Sequence, residues 1–167
     1  MITRRWHVLS VVAMVTMVMA CGGLDPGELP PESTISGTIV FAGGAAAWPP
    51  ADSIREVRVV VFDSVPRLES DVIASVLRGT ALFTDPLPQT VDSAVYSLLI
   101  TAPPRRFEYI VVAALTGPNV FTDWTMLAVH APVGRPQEPI AENISVGDQR
   151  IINFVVRFDS LPPQPFE

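Results

Sequence analysis

The sequence predicts an all-β domain, an antiparallel β-sandwich of six to eight strands with one short helix, for two reasons. First, all 17 prolines lie after Cys21 and divide that part of the chain into segments mostly too short for packed helices. Second, the segments between the prolines are rich in Val, Ile, Phe, Tyr and Thr, which favour strands. Such a chain is expected to bury its apolar side chains between sheets.

Residues 1–20 are interpreted as a signal peptide. Arg4 and Arg5 supply positive charge, and the apolar run that follows is about 15 residues long, shorter than the roughly 20 that a membrane-spanning helix needs. The run ends in Val18-Met-Ala-Cys21, which resembles a bacterial lipobox. The resemblance implies cleavage before Cys21, acylation of its sulfur and anchoring of the exported protein in a membrane.

Residues 21–33 are predicted to be the lipidated cysteine and a flexible tether, since they are rich in Gly, Pro and acids. Twelve extended residues reach at most about 40 Å, which keeps the domain near its membrane. The sandwich is expected over 34–160, followed by a Pro-rich tail over 161–167. Cys21 is the sole cysteine, so the domain can have no internal disulfide.

The net charge of the chain disfavours nucleic acids as partners. Without Arg4 and Arg5, nine basic residues, all Arg, oppose 17 acidic ones, for a net charge of −8. An acidic domain repels phosphate backbones, so nucleic-acid binding is disfavoured.

Six runs of residues are predicted to be strands. They are Thr34–Phe41, Arg55–Asp63, Thr90–Thr101, Phe107–Thr116, Trp124–Ala131 and Arg150–Phe158. In the first run, alternation puts Ile35, Gly37, Ile39 and Phe41 on one face. In the second run, it puts Val57, Val59 and Val61 on one face and the apolar pair Val60 and Phe62 on the other. Strands of this length at this spacing are typical of sandwiches.

Two connections are predicted as well. The segment Ala102-Pro-Pro-Arg-Arg106 is interpreted as a hairpin-like link between two central strands. Ser70–Arg78 is predicted to be a short helix across one end or edge of the sheets, with Ser70 as its N-cap and Gly79 just past its end.

Four segments carry a recurring strand pattern. They are Ile35-Ser-Gly-Thr-Ile39, Val57-Arg-Val-Val-Val-Phe62, Tyr96-Ser-Leu-Leu-Ile100 and, after Pro103, Phe107-Glu-Tyr-Ile-Val-Val-Ala113. Together they resemble the carboxypeptidase-regulatory-like, or transthyretin-like (prealbumin-like), domains, over about residues 34–116. The resemblance implies an immunoglobulin-like or transthyretin-like sandwich that serves as an accessory module and lends no catalytic residue. The chain departs from the family's usual turns at Gly43-Gly44 and Val91-Asp92-Ser93.

Residues for catalysis or metal binding are sparse after Cys21. One histidine, His130, lies in a predicted strand with no Gly-x-Ser-x-Gly nearby, so it is interpreted as structural and we expect no enzyme activity. One histidine and a lipidated cysteine cannot form the usual zinc sites, and we expect neither metal nor cofactor. Five acids near the helix and loops are interpreted as solvated, with a calcium site left open: Asp63, Glu69, Asp71, Asp85 and Asp92.

Aromatic loop residues are the remaining candidates for a site. Trp48 lies in a Pro-flanked loop, and Phe121 and Trp124 flank another. Rigid aromatics beside Asp and Asn resemble sugar-stacking platforms, so these three are the candidate ligand-binding residues. The favoured interpretation of Trp48 and Trp124 is nevertheless that both tryptophans close the open ends of the sandwich. Arg105 and Arg106 are interpreted as a solvated turn, with contact to anionic lipid as the alternative.

These observations predict a lipid-anchored, non-catalytic interaction or structural module of the bacterial cell envelope. The alternative is a carbohydrate-binding lipoprotein that uses Trp48 and Trp124. The expected partners are a membrane, through acylated Cys21, and an envelope protein or a glycan. Gly22 is not the Asp that retains many enterobacterial lipoproteins in the inner membrane, which favours the outer membrane.

Overall fold

The computed structural model describes residues 31–166, and within them the chain is mostly β. Its ten strands are β1 (Thr34–Phe41), β2 (Glu56–Phe62), β3 (Ala81–Phe83), β4 (Ser93–Leu99), β5 (Arg105–Phe107), β6 (Tyr109–Leu115), β7 (Trp124–Val129), β8 (Glu142–Ile144), β9 (Gln149–Ile151) and β10 (Phe154–Val156). One helix, α1 (Glu69–Arg78), follows β2, and a 3-10 turn (Gly44–Ala47) follows β1. The all-β prediction is confirmed.

The strands form two four-stranded sheets and one small sheet. In the first sheet, β1 pairs with β4 in antiparallel fashion and, along its other side, with β9 and β10 in parallel fashion. The second sheet has the antiparallel order β3-β2-β6-β7, and the small sheet joins β5 to β8. The first sheet is therefore mixed, whereas the sequence predicted antiparallel pairing throughout.

The two larger sheets contribute to one buried core, which gives the domain its sandwich-like character. Ile35, Ile39 and Phe41 of β1 lie in the same buried cluster as the alternate valines of β2. The alternation predicted for Thr34–Phe41 and Arg55–Asp63 is thus confirmed. Residues 32–166 lie in one compact unit around this core.

The number of strands and one connection were predicted wrongly. Strands β3, β5 and β8 were missed because three residues are too few to show a period, and the run Arg150–Phe158 is divided into β9 and β10. The segment Ala102–Arg106 is not a hairpin link, because β4 and β6 belong to different sheets. It carries the chain from one sheet to the other, and Arg105 and Arg106 begin β5.

The helix α1 lies where the sequence predicts it, but its cap differs. The N-cap residue is Leu68, and the Asp71 carboxylate accepts the backbone N–H groups of Arg67 and Leu68 at 3.0 and 3.1 Å. The prediction that Ser70 caps the helix is wrong, since a carboxylate one residue later satisfies two backbone donors at once. The helix ends as predicted at Gly79, whose φ of +70° is in the left-handed region.

A tight crossing of three strands holds the first sheet together. A Cβ on Gly37 would lie within 1.9 Å of the Ile152 carbonyl oxygen, so only glycine lets the break between β9 and β10 approach β1 this closely. Tyr96 on β4 is the register partner of Gly37, and its hydroxyl donates to the same carbonyl at 2.7 Å. One side chain therefore spans β1 and fixes strands on both of its sides.

The substitution Gly37→Ala is expected to lower the free energy of unfolding by about 3 kcal/mol or more, because the added methyl group meets backbone atoms that cannot move without breaking the sheet. The matched control is Ser36→Ala in the same strand, which should cost less than about 0.5 kcal/mol. Urea unfolding of both variants provides the measurement. Similar midpoints for the two variants would contradict this account of Gly37.

The substitution Tyr96→Phe is expected to lower the free energy of unfolding by about 1–2 kcal/mol, because the Ile152 carbonyl loses the hydroxyl that donates to it. Burial raises the pKa of Tyr96 above its usual value of about 10. The folded protein keeps the phenol proton of Tyr96 at pH values where the unfolded chain releases it. The free energy of unfolding is therefore unaffected by this group below pH 10 and falls as pH rises above 10.

The Phe variant should therefore lose less stability between pH 9 and pH 11 than the unsubstituted protein. Part of the slope should remain, because burial also raises the pKa of Tyr109. Thermal unfolding at a series of pH values measures both slopes, and identical slopes would show that Tyr96 does not contribute to them.

Candidate binding groove

The outer face of the second sheet carries an apolar cluster that is separate from the core. Its buried members include Phe62 of β2, Tyr109, Val111 and Ala113 of β6, and Met126 of β7. They point away from the core because alternate residues of a strand face opposite sides of the sheet. All seven residues of β6 are buried, so this strand is covered on both faces.

An open groove of about 340 Å³ lies over this cluster. The helix α1 lies beside the edge strand β3 and lines the groove with three side chains, Val72, Ile73 and Val76. The loop before β7 and the C-terminal segment line it as well, with Val120, Phe121, Trp124, Pro165 and Phe166. We call this space, with its floor on β2, β6 and β7, the outer groove.

Hydrogen bonds fix the aromatic loop of the outer groove. The Asp123 carboxylate accepts the backbone N–H of Asn119 at 2.8 Å, and the Asn119 side-chain oxygen accepts the N–H of Phe121 at 3.0 Å. The indole N–H of Trp124 donates to the carbonyl of Val120 at 2.8 Å. Phe121 is held in this loop with 52% of its surface exposed, a costly arrangement for an aromatic ring unless it is covered by something else.

The C-terminal segment is attached to the edge of the second sheet by one side chain. The Gln164 amide accepts the backbone N–H of Met126 at 2.7 Å and donates to the Met126 carbonyl at 3.2 Å and to that of Pro162 at 2.9 Å. This amide occupies the position of a neighbouring strand. It also places Pro165 and Phe166 in the lining of the outer groove.

The charges that line the outer groove neutralise each other. Arg58 contacts Glu56 at 3.0 Å, donates to the Thr84 carbonyl at 2.8 Å and lies 5.4 Å from the centre of the Phe83 ring. Burial raises the pKa of Tyr109, so its phenol is uncharged at neutral pH. The lining therefore offers apolar surface and no unbalanced charge, which suits an uncharged apolar group.

Of the three aromatic candidates, the structure brings Phe121 and Trp124 together and leaves Trp48 elsewhere. Trp48 packs against the core between the sheets, with its ring 4.5 Å from that of Phe41 and 5.0 Å from that of Phe158. Its indole N–H donates to the Val91 carbonyl at 2.9 Å. The half-buried Trp48 ring thus has two aromatic neighbours in the protein.

Four of the titratable candidates have a structural partner. His130 contacts Glu142 at 3.1 Å, and Asp63 forms a 2.7 Å ion pair with Arg105. Asp92 accepts the backbone N–H of Ala45, and Asp71 holds the start of α1 as described above. Within residues 31–166, no group of three or more His, Cys, Asp and Glu side chains is arranged to hold a metal ion.

The two arginines of the predicted turn, Arg105 and Arg106, also contact side chains of the protein. Arg105 also lies 4.9 Å from the centre of the Phe107 ring, and Arg106 pairs with Glu108 at 3.3 Å. The predicted lipidation site, Cys21, lies outside the described residues, as do the signal peptide and most of the tether. In the part of the chain that is described, no helix has the length and apolar character needed to cross a membrane.

Comparisons with known proteins assign no family to this chain. It matches no protein-family model and no curated protein. A crystal structure of a leucine-rich repeat protein from Bacteroides thetaiotaomicron is similar over 78% of this chain and 14% of that one, with 10% sequence identity and a TM-score of 0.31. A TM-score this low carries no argument about fold or function.

Most of the outer groove was not found from the sequence. The floor residues of β6 look like core residues in a continuous apolar run, and only Val60 and Phe62 on the outward face of β2 signal a second buried surface. For Phe166, which follows three prolines in the tail, the sequence left two alternatives open, docking back on the domain and a frayed terminus, and the residue lines the groove.

Proposed function

We propose that this chain is a lipid-anchored, non-catalytic interaction module of the bacterial cell envelope, built on a transthyretin-like β-sandwich. The outer groove is its binding surface, and the occupant is an apolar segment of a partner protein. The observation that carries the proposal is the groove itself, an apolar concavity with aromatic side chains and internally balanced charge.

The dimensions of the groove favour side chains of a protein partner. A volume of about 340 Å³ is near the lower limit of small-molecule pockets, which begin at about 300 Å³. It accommodates two or three bulky apolar side chains. Exposed aromatics such as Phe121 are the residue type that contributes most at protein interfaces.

A carbohydrate ligand is the alternative function. Phe121 and Trp124 remain available as a stacking surface, since both line the outer groove. Trp48 does not add to that surface, because it packs with Phe41 and Phe158 in the other cluster. Sugar sites also need several hydrogen-bonding side chains, and the groove is lined mainly by apolar residues.

The groove can be tested with N-phenyl-1-naphthylamine, an uncharged apolar dye, and the soluble chain over residues 24–167. Trp124 lines the groove and should transfer its excitation to bound dye. We expect Phe121→Ala to weaken dye binding by about tenfold, since it removes a central aromatic contact. Val133→Ala is the control, because Val133 is a fully exposed apolar residue outside the groove.

The occupant is then identified by competition. We expect peptides with neighbouring bulky apolar residues to displace the dye from the unsubstituted protein and not to bind the Phe121→Ala variant. Displacement by oligosaccharides, lost in Trp124→Ala, would establish the carbohydrate alternative and exclude the protein partner. Equal dye binding by the Phe121→Ala and Val133→Ala variants would show that the groove is not a binding surface.

The anchor requires its own test in a bacterial host. In the full chain, Cys21→Ala should abolish palmitate labelling and release the protein from the membrane fraction, because Cys21 is the only thiol available for acylation. The control is Glu32→Ala, which changes an exposed residue and should keep both properties. Labelling that persists without Cys21 would exclude the lipobox interpretation.

A further inference from the structure

The edge strand β4 of the first sheet has free backbone groups in a regular row. Hydrogen bonds join Phe41 to Asp92 and Ile100 to Ser33, and the register between them is continuous. In an antiparallel ladder, alternate residues direct both backbone groups to the same side. Even-numbered residues of β4 therefore bond to β1, and Ser93, Val95, Ser97 and Leu99 direct their N–H and C=O groups outward, away from β1.

The other three edges of the two larger sheets are protected. On the β7 edge, the Gln164 amide takes both backbone groups of Met126. The β3 edge is only three residues long and lies beside α1. The edge formed by β9 and β10 is interrupted at Ile152 and carries the charged Arg150. Short strands, charges and covering segments are the usual devices that prevent edge pairing.

Strand β4 has none of these devices. It contains seven residues without a charge, a proline or a break. Val95 is 78% exposed and Leu99 is 50% exposed. Within residues 31–166, the backbone groups of its four outward residues have no hydrogen-bond partner apart from solvent. An uncovered apolar edge of this length is a template for another strand.

We propose that β4 pairs with β4 of a second copy of this chain, in antiparallel fashion about a twofold axis beside Tyr96. In this register Ser93 faces Leu99 of the second copy, and Val95 faces its Ser97. All four outward residues of each copy are then paired, and eight backbone hydrogen bonds form across the axis. A shift by two residues would leave one outward residue of each copy unpaired.

The strand is complementary to itself in size and charge. Each cross-strand pair joins a small serine to an aliphatic side chain, so no two large groups meet. The outer face of the first sheet is also neutral, with Thr38 and Val40 on β1 and Val155 on β10. Two acidic copies can approach there with little repulsion, and their faces join into one continuous sheet.

Charge substitutions at the edge test the pairing and its register. For the soluble chain over residues 24–167, sedimentation equilibrium should show a monomer–dimer equilibrium. Val95→Lys and Ser97→Glu should each weaken the dimer by about tenfold, because equal charges meet diagonally across the axis. A mixture of the two variants should restore association, since the introduced lysine of one copy would then face the introduced glutamate of the other.

The control is Thr38→Lys, at the register partner of Val95 one strand in from the edge. It should leave the dimer unchanged, and thermal unfolding should show that all three variants are folded. Hydrogen exchange provides a residue-level readout, in which the amides of Ser93, Val95, Ser97 and Leu99 should become protected as concentration rises.

Two results would overturn the proposal. One is a monomer at all concentrations up to about 1 mM, which would exclude pairing between copies and indicate that β4 pairs with a strand of a different protein. The other is a dimer that Val95→Lys does not weaken, or whose formation leaves the four amides unprotected. Neither result depends on the outer groove, so the two proposals succeed or fail separately.

Discussion

The structure depends on the two-sided burial of β6. Seven consecutive buried residues in one strand require apolar cover on both faces of the second sheet. The first sheet covers the inner face over a large area. Within residues 31–166, the outer face is covered by α1, by the aromatic loop before β7 and by the C-terminal segment attached through Gln164. These three elements come from distant parts of the chain, and all of them line the outer groove.

The sequence was sufficient for the elements whose signal is local. The alternation in Thr34–Phe41 and Arg55–Asp63 predicted strand positions and inward faces, and Gly79 marked the end of α1. The sequence was insufficient for strands whose pairing partners lie far away along the chain. The runs of β4 and β6 look like a hairpin across Ala102–Arg106, yet β4 pairs with β1 and β6 with β2. A local sequence pattern shows that a strand is apolar. Which of several apolar strands it pairs with depends on the packing of the whole core.

The same distinction applies to the candidate site. Phe121 and Trp124 were found because aromatics in a loop with Asp and Asn are conspicuous, and the loop is indeed fixed by those polar side chains. Trp48 has the same local features, but in the fold its ring packs against Phe41 and Phe158. Whether a loop aromatic is exposed depends on which strands the loop connects. The sequence therefore could not separate a tryptophan that closes the core from one that lines a surface groove.

The outer groove and the face beside β4 are two surfaces without net charge on an otherwise acidic chain. In a chain with many more acids than arginines, both the outer groove and the face beside β4 lack unbalanced charge. They lie on different sheets and share no residue, so occupation of one leaves the other free. A dimer through β4 would carry two open grooves, and if the copies were held at one membrane their confinement would favour the dimer by raising the local concentration. Two weak grooves on one dimer could then hold a partner with repeated apolar segments more tightly than a single groove holds one segment.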